Sequence, residues 1–257
     1  SANWPGEMAR VVQGAMRKDV PVLFLPGASG DITQIDNFTP YRPRKAEEYL
    51  QLLGGRIGAE VLKVLVEIPK TRQVEVAHRQ RVWKIKRRAP DPSRVKQSWA
   101  VVARPKPPGE ASDWIFAKET VLADFLAKTD PEVEVEVQLL QLGPAVCLGN
   151  PAELFVDYGL EMKRASSFPL TMVAELANGY VGYVPTEEAF SIRGGGYETR
   201  LTSTSNLDIR AGRQLTETIL ELSGTLRPGV LPALPPRPPF PGSGNPWAYG
   251  NLGPQVR

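Results

Sequence analysis

The chain has 257 residues, enough to bury one good-sized core. Its formal net charge of +3 is a small excess of 31 positive over 28 negative groups, so charge gives no argument for nucleic acid as a partner. A single histidine cannot supply the two or three imidazoles a zinc enzyme usually needs, a single cysteine excludes an intrachain disulfide, and no apolar run reaches the roughly 18 residues that span a bilayer.

The sequence begins Ser1-Ala2-Asn3-Trp4-Pro5 without an initiator methionine and reads as the interior of a longer chain. Met8, Val11, Val12 and Ala15 have helical spacing. Val20 to Leu25 has the look of a buried strand and runs straight into the turn Pro26-Gly27-Ala28-Ser29-Gly30-Asp31. A strand that ends in a glycine-rich turn is where α/β proteins usually place chemistry. Lys45 to Val66 reads as a helix with an apolar stripe and a kink expected at Gly54-Gly55. Gln73 to Ile85 alternates as a strand does, and Lys84-Ile85-Lys86-Arg87-Arg88 reads as its solvated end. Ala89 to Ser112 holds several prolines and reads as an insertion of mixed structure, and Trp114 to Lys128 reads as a helix. Val133 to Leu139 alternates strictly, Gly143-Pro144 is a turn, and Ala145 to Leu148 is a second strand, so a hairpin is expected with Cys147 as a buried small hydrophobe. Asn150-Pro151-Ala152-Glu153 has the spacing of a capping box and predicts a helix through Arg164. Thr171 to Leu176 is a further strand and Arg210 to Leu222 the last helix. From Arg227 onward nine of 31 residues are proline, which reads as an extended or disordered tail. The expected fold is α/β, a mixed sheet with flanking helices over residues 1–226, with the tail at 227–257.

Three strand-to-loop junctions could carry chemistry: Gly27 to Thr33, Gly149 to Glu153, and Asn178 to Tyr183. Each also has a plain structural reading. Glu153 fits a capping box, yet it is equally a carboxylate presented beside a strand end, suited to a metal ion. Tyr180 and Tyr183 beside glycines commonly pack over a turn, and a phenol that ligates a metal or donates to an oxyanion is rarer. Gly194-Gly195-Gly196-Tyr197-Glu198 reads as a flexible loop or as a flap that brings Tyr197 to a substrate. Asp31 caps or tightens its turn.

Taken together, these motifs resemble the neutral/alkaline (non-lysosomal) ceramidase family, and the chain resembles the C-terminal part of its N-terminal catalytic domain. The resemblance is carried, in family order, by Trp4-Pro5-Gly6, by Val22 to Thr33, by Asn150 to Phe155, and by Leu176 to Glu188 with Gly196-Tyr197-Glu198. It implies zinc-dependent hydrolysis of an N-acylsphingosine amide to a fatty acid and a sphingoid base. It implies Glu153 and Tyr183 as ligands of Zn2+, and Tyr197 and Thr33 as catalytic groups. The family's two histidine ligands lie upstream of the segment matching Trp4-Pro5-Gly6 and His78 stands in the wrong place to replace them, so the zinc site is expected to be incomplete in this chain. Thr33 stands where ceramidases proper have serine, which leaves room for a related hydrolase acting on another amide or an ester. The third reading is an inactive domain that binds a partner, with Pro235-Pro236-Arg237-Pro238-Pro239 as a polyproline II ligand. The expected partner is a lipid or N-acyl amide, with no nucleic acid, no transmembrane segment, and a possible peripheral contact with a membrane.

Overall fold

The computed structural model describes residues 2–17, 19–35, 38, 45–68, 74–109 and 111–231, so the proline-rich stretch at 235–239 lies outside the described residues. Helix α1, Asn3–Met16, buries Met8 and Val12, as its spacing requires. Helix α2, Ala46–Glu67, packs against it and runs on as one helix through Gly54 and Gly55. A β-carbon at Gly54 would lie 2.7 Å from the Trp4 carbonyl, and one at Gly58 would lie 2.8 Å from the Val11 side chain. Gly54 and Gly58 therefore serve the close approach of two helices.

Strand β1 is Val76–Lys86 and is followed by helix α3, Pro92–Val102, within the proline-containing insertion. Asp91 caps α3 by accepting from the backbone N–H of Ser93 at 2.8 Å. Helix α4, Ser112–Thr129, pairs with α3 and leads to strand β2, Glu132–Leu142. Strict alternation in β2 buries Val135, Val137 and Leu139 completely, while Glu132 and Glu134 face water. Strand β3, Ala145–Gly149, returns antiparallel to β2 in the expected hairpin, with Leu139 opposite Leu148.

After β3 comes a two-residue strand β4, Glu153–Leu154, then helix α5, Val156–Ala165, and strand β5, Leu170–Ala174, which pairs parallel to β3. A second two-residue strand, β6, Tyr183–Val184, pairs parallel to β4. The main sheet is mixed, in the order β1-β2-β3-β5. Helix α6, Ala211–Ser223, closes the fold and with α5 covers one face of the sheet. Leu215 and Ile219 of α6 and Met162 of α5 are fully buried there, against Val137, Leu139 and Leu148. The opposite sheet face exposes Leu140, Leu170 and Met172.

Three expectations are corrected. Val20 to Leu25 forms no strand: Leu23, Phe24 and Leu25 are exposed, and the Pro26 carbonyl that follows accepts from the N–H of Glu175, just past β5, at 2.9 Å. The basic run ending β1 is not merely solvated. Ile85 is buried, and the Arg88 guanidinium donates to the carbonyls of Leu207 and Ser205 and stacks over Phe190. Cys147 is half-buried on the outer sheet face, not in the core, and burial still pushes its thiol upward.

Candidate functional site

The second junction, Gly149 to Glu153, departs most from the sequence reading. Asn150 is fully buried, but it caps no helix. Its amide donates to the Ala174 carbonyl at 3.3 Å and its oxygen accepts from the Ala152 N–H at 3.1 Å. That local bond turns the chain within four residues, so Glu153 emerges on β4 and the helix starts only at Val156. Glu153 is thus not a capping residue. It is a half-buried carboxylate on a short strand beside the C-terminal ends of β3 and β5.

The Tyr-rich segment wraps this strand. Asn178 takes a left-handed backbone at φ 64° and Gly182 at φ 82°, where a β-carbon would lie 2.7 Å from the Thr204 carbonyl carbon, so glycine is needed at 182. The backbone bonds Val181 N–H to Pro151 at 3.0 Å and Glu153 N–H to Gly182 at 2.9 Å lock the wrap. In this register Tyr183 is the direct partner of Glu153 across the β4–β6 pair.

The phenols then converge. Tyr180 donates to Glu153 Oε1 at 2.9 Å. The Tyr183 and Tyr197 hydroxyls lie 3.2 Å apart, with their rings edge to face at 5.4 Å between centroids. Burial, then the bond to Glu153, pushes the Tyr180 phenol up to about 12. Tyr183 is pushed up further, first by burial, then by Tyr197 and the Glu153 carboxylate. Both phenols therefore stay protonated and able to donate at neutral pH.

Tyr197 also borders a cleft of about 840 Å3, within the usual range for small-molecule sites. One wall is apolar: Trp4, Phe24, Leu53 and Ile57, with Trp4 and Phe24 edge to face at 4.8 Å. The other is the turn from Gly27 to Gln34, and Thr33 lies on it. Thr33 Oγ1 accepts from the Ile35 N–H at 3.2 Å, within its own turn. Thr33 and Tyr197 thus share the cleft, whereas Glu153 and Tyr183 stand behind Tyr197 and do not line it.

Two residues have roles that the sequence did not disclose. Asp31 does not simply tighten its turn; its carboxylate accepts from the Val156 N–H at 2.7 Å, so it caps α5 from 125 residues away in sequence. Glu175 is almost fully buried at 5% exposure, and accepts from the Ser29 N–H at 3.1 Å, the Ser29 hydroxyl at 2.5 Å and the Leu154 N–H at 3.0 Å. The one signal that could have marked it is an acid ending the apolar strand Met172-Val173-Ala174.

As a zinc site these residues do not suffice. Zinc is usually held by four ligands drawn from imidazole, thiolate and carboxylate. Glu153 and Tyr183 offer two oxygens, and among the described residues no group of three His, Cys, Asp or Glu is placed to hold a metal. His78 is exposed near the start of β1, opposite Leu140.

The mixed sheet backed by helices is a fold shared with solved structures of ceramidases. A crystal structure of neutral ceramidase from Pseudomonas aeruginosa aligns with a TM-score of 0.62 at 15% identity, over 90% of this chain and 42% of that one. A ceramidase complexed with C2 aligns with a TM-score of 0.61 at 16% identity, over 92% and 44%. The likeness is one of fold, and this chain spans less than half the length of either protein. No family model matches the sequence, and no curated protein matches it.

Proposed function

We propose that this chain forms part of the active site of a hydrolase of N-acyl amides related to ceramide. The observation that carries the proposal is the line of groups running from Glu153 and Tyr183, paired in register on β4 and β6, through the Tyr197 hydroxyl to the cleft, within a fold like that of the ceramidases. Hydrolysis adds water across the amide: the carbon gains an oxygen, the carbon–nitrogen bond breaks, and the leaving amine takes up a proton. The products are a fatty acid and a sphingoid base.

In this reading the apolar wall of Trp4, Phe24, Leu53 and Ile57 takes a hydrocarbon chain out of water. Tyr197 is the donor nearest the bound amide, and its hydroxyl, backed by Tyr183, is suited to the charge that develops on the carbonyl oxygen. The Thr33 hydroxyl on the facing turn orients the polar end of the substrate. Glu153 and Tyr183 are half of a ligand set. The remaining zinc ligands, two histidines by the resemblance, come in this proposal from outside these 257 residues. A second reading, in which the amide is not ceramide or the substrate is an ester, is favoured by Thr33, whose hydroxyl is engaged with its own turn.

The test is product analysis with the protein that carries this chain and its upstream extension, on a panel of short-chain N-acylsphingosine, an unrelated N-acyl amide and an ester. Release of sphingoid base above the other two products supports the first reading. Turnover of the ester or the unrelated amide alone favours the second, and no turnover of any of them contradicts both.

A further inference from the structure

Resting on the hydrolase reading above, we propose that Glu175 is a positioning residue. Its buried carboxylate holds the Gly27–Asp31 turn against β4, and so sets the wall of the cleft that carries Thr33 in place relative to Glu153 and Tyr183.

The two halves of the candidate site come from segments far apart in sequence, and Glu175 is the side chain that reaches both. Its Oε2 accepts from Ser29 on the turn and from Leu154 on β4, the residue after Glu153, while Oε1 accepts the Ser29 hydroxyl. All three partners donate, which matches an ionised carboxylate, an acceptor with no proton of its own. Around this carboxylate the backbones are already close. The Gly30 N–H donates to the Leu154 carbonyl at 2.9 Å, and a β-carbon on Gly30 would lie 2.9 Å from the Glu153 carbonyl carbon. The chain after Glu175 is unusual too: Leu176 takes a left-handed backbone at φ 55°, a costly conformation for a branched side chain that persists only where the surroundings fix it. Burial raises the Glu175 carboxyl above its ordinary range, with the bonds from Ser29 and Leu154 opposing, so the ion sits in a demanding place and depends on those donors.

Without the carboxylate, the Ser29 and Leu154 N–H groups lose their acceptor in a place with little water. The turn then loosens from β4, and Thr33 moves relative to Tyr197. Misplacement of about 1 Å in such a constellation can cost on the order of 100-fold in rate. Glutamine keeps the shape and one carbonyl acceptor, so it retains most of the clamp, whereas leucine retains none.

The experiment compares wild type, Glu175→Gln, Glu175→Leu and Ser29→Ala in the protein with its upstream extension. It measures amide hydrogen exchange at residues 29–31 and 154, together with kcat and KM on a short-chain N-acylsphingosine. The expected result for Glu175→Leu is exchange at Ser29 and Leu154 faster by about 10-fold or more, with core amides of α6 unchanged. Its kcat falls by about 10-fold or more while KM moves by less than about 3-fold, and Glu175→Gln recovers most of both. Ser29→Ala, which leaves Leu154 satisfied, gives a smaller change of the same kind and decides the matter should the leucine variant not fold. Unchanged exchange at the turn overturns the clamp. A loosened turn with unchanged kcat overturns the positioning role. If wild type hydrolyses nothing, the hydrolase reading and the positioning role fall together, and the exchange data alone still decide whether Glu175 holds the turn.

Discussion

Glu153 and Tyr183 face one another because Asn150 spends its side chain on a tight turn instead of a helix cap, and because Gly182 lets the opposing backbone close in. The consequence of packing Tyr180 and Tyr183 beside one carboxylate is a pair of late titrations. Tyr180 is pushed up to about 12 from the ordinary 10.0 by burial and then by Glu153. A folded phenol held above its unfolded value adds stability that is complete below about pH 10 and is lost as pH climbs towards about 12. Absorbance at 295 nm should therefore show late-titrating tyrosines in the native protein, and Tyr180→Phe should remove one of them. A native titration with every phenol near 10 would contradict the packing of Tyr180 against Glu153. Gly30 supports a second residue-level prediction. Its missing side chain lets the turn touch β4, so Gly30→Ala should cost about 1–3 kcal/mol in denaturant unfolding, as overpacking does. A variant as stable as wild type would mean that this contact has slack.

At the scale of elements, much was legible. Alternation from Val133 to Leu139 gave a real strand because one face lies on α5 and α6, and the Gly143-Pro144 turn gave the hairpin. The 3.6-residue stripes gave α2, α4 and α6 within a few residues of their ends. Two elements were not legible, for physical reasons. Val20 to Leu25 carries the composition of a buried strand, but composition cannot say whether a neighbour is present to pair with it. Asn-Pro-x-Glu fits a capping box and an Asx turn equally, and the choice is made by the Ala174 carbonyl, 24 residues on. The site inherited both limits. Tyr183, Tyr197 and Glu153 were visible as residues, whereas the pairing of Glu153 with Tyr183 and the reach of Glu175 to Ser29 depend on long-range register. The packing account has its own check in α6: Leu215 is fully buried, so Leu215→Ala should destabilise by about 2–5 kcal/mol. A loss below about 1 kcal/mol would show that α6 is not seated on the sheet.

For the whole molecule, the described residues combine a four-stranded mixed sheet, covered by α5 and α6 on one face, with a helical pair, α1 and α2, that walls a cleft next to the strand ends. Among the described residues no helix is long and apolar enough to cross a membrane. The fold is like that of ceramidase structures, of which it spans less than half. In the proposed hydrolase, Glu153, behind Tyr197 and the cleft, is needed for amide hydrolysis. The most direct measurement is the rate of fatty-acid release from short-chain N-acylsphingosine by the protein with its upstream extension, for wild type and Glu153→Gln, with folding of both checked by thermal unfolding. The expected result is hydrolysis by wild type and a loss of about 100-fold or more in Glu153→Gln with the fold intact. Equal rates in the two proteins would contradict it.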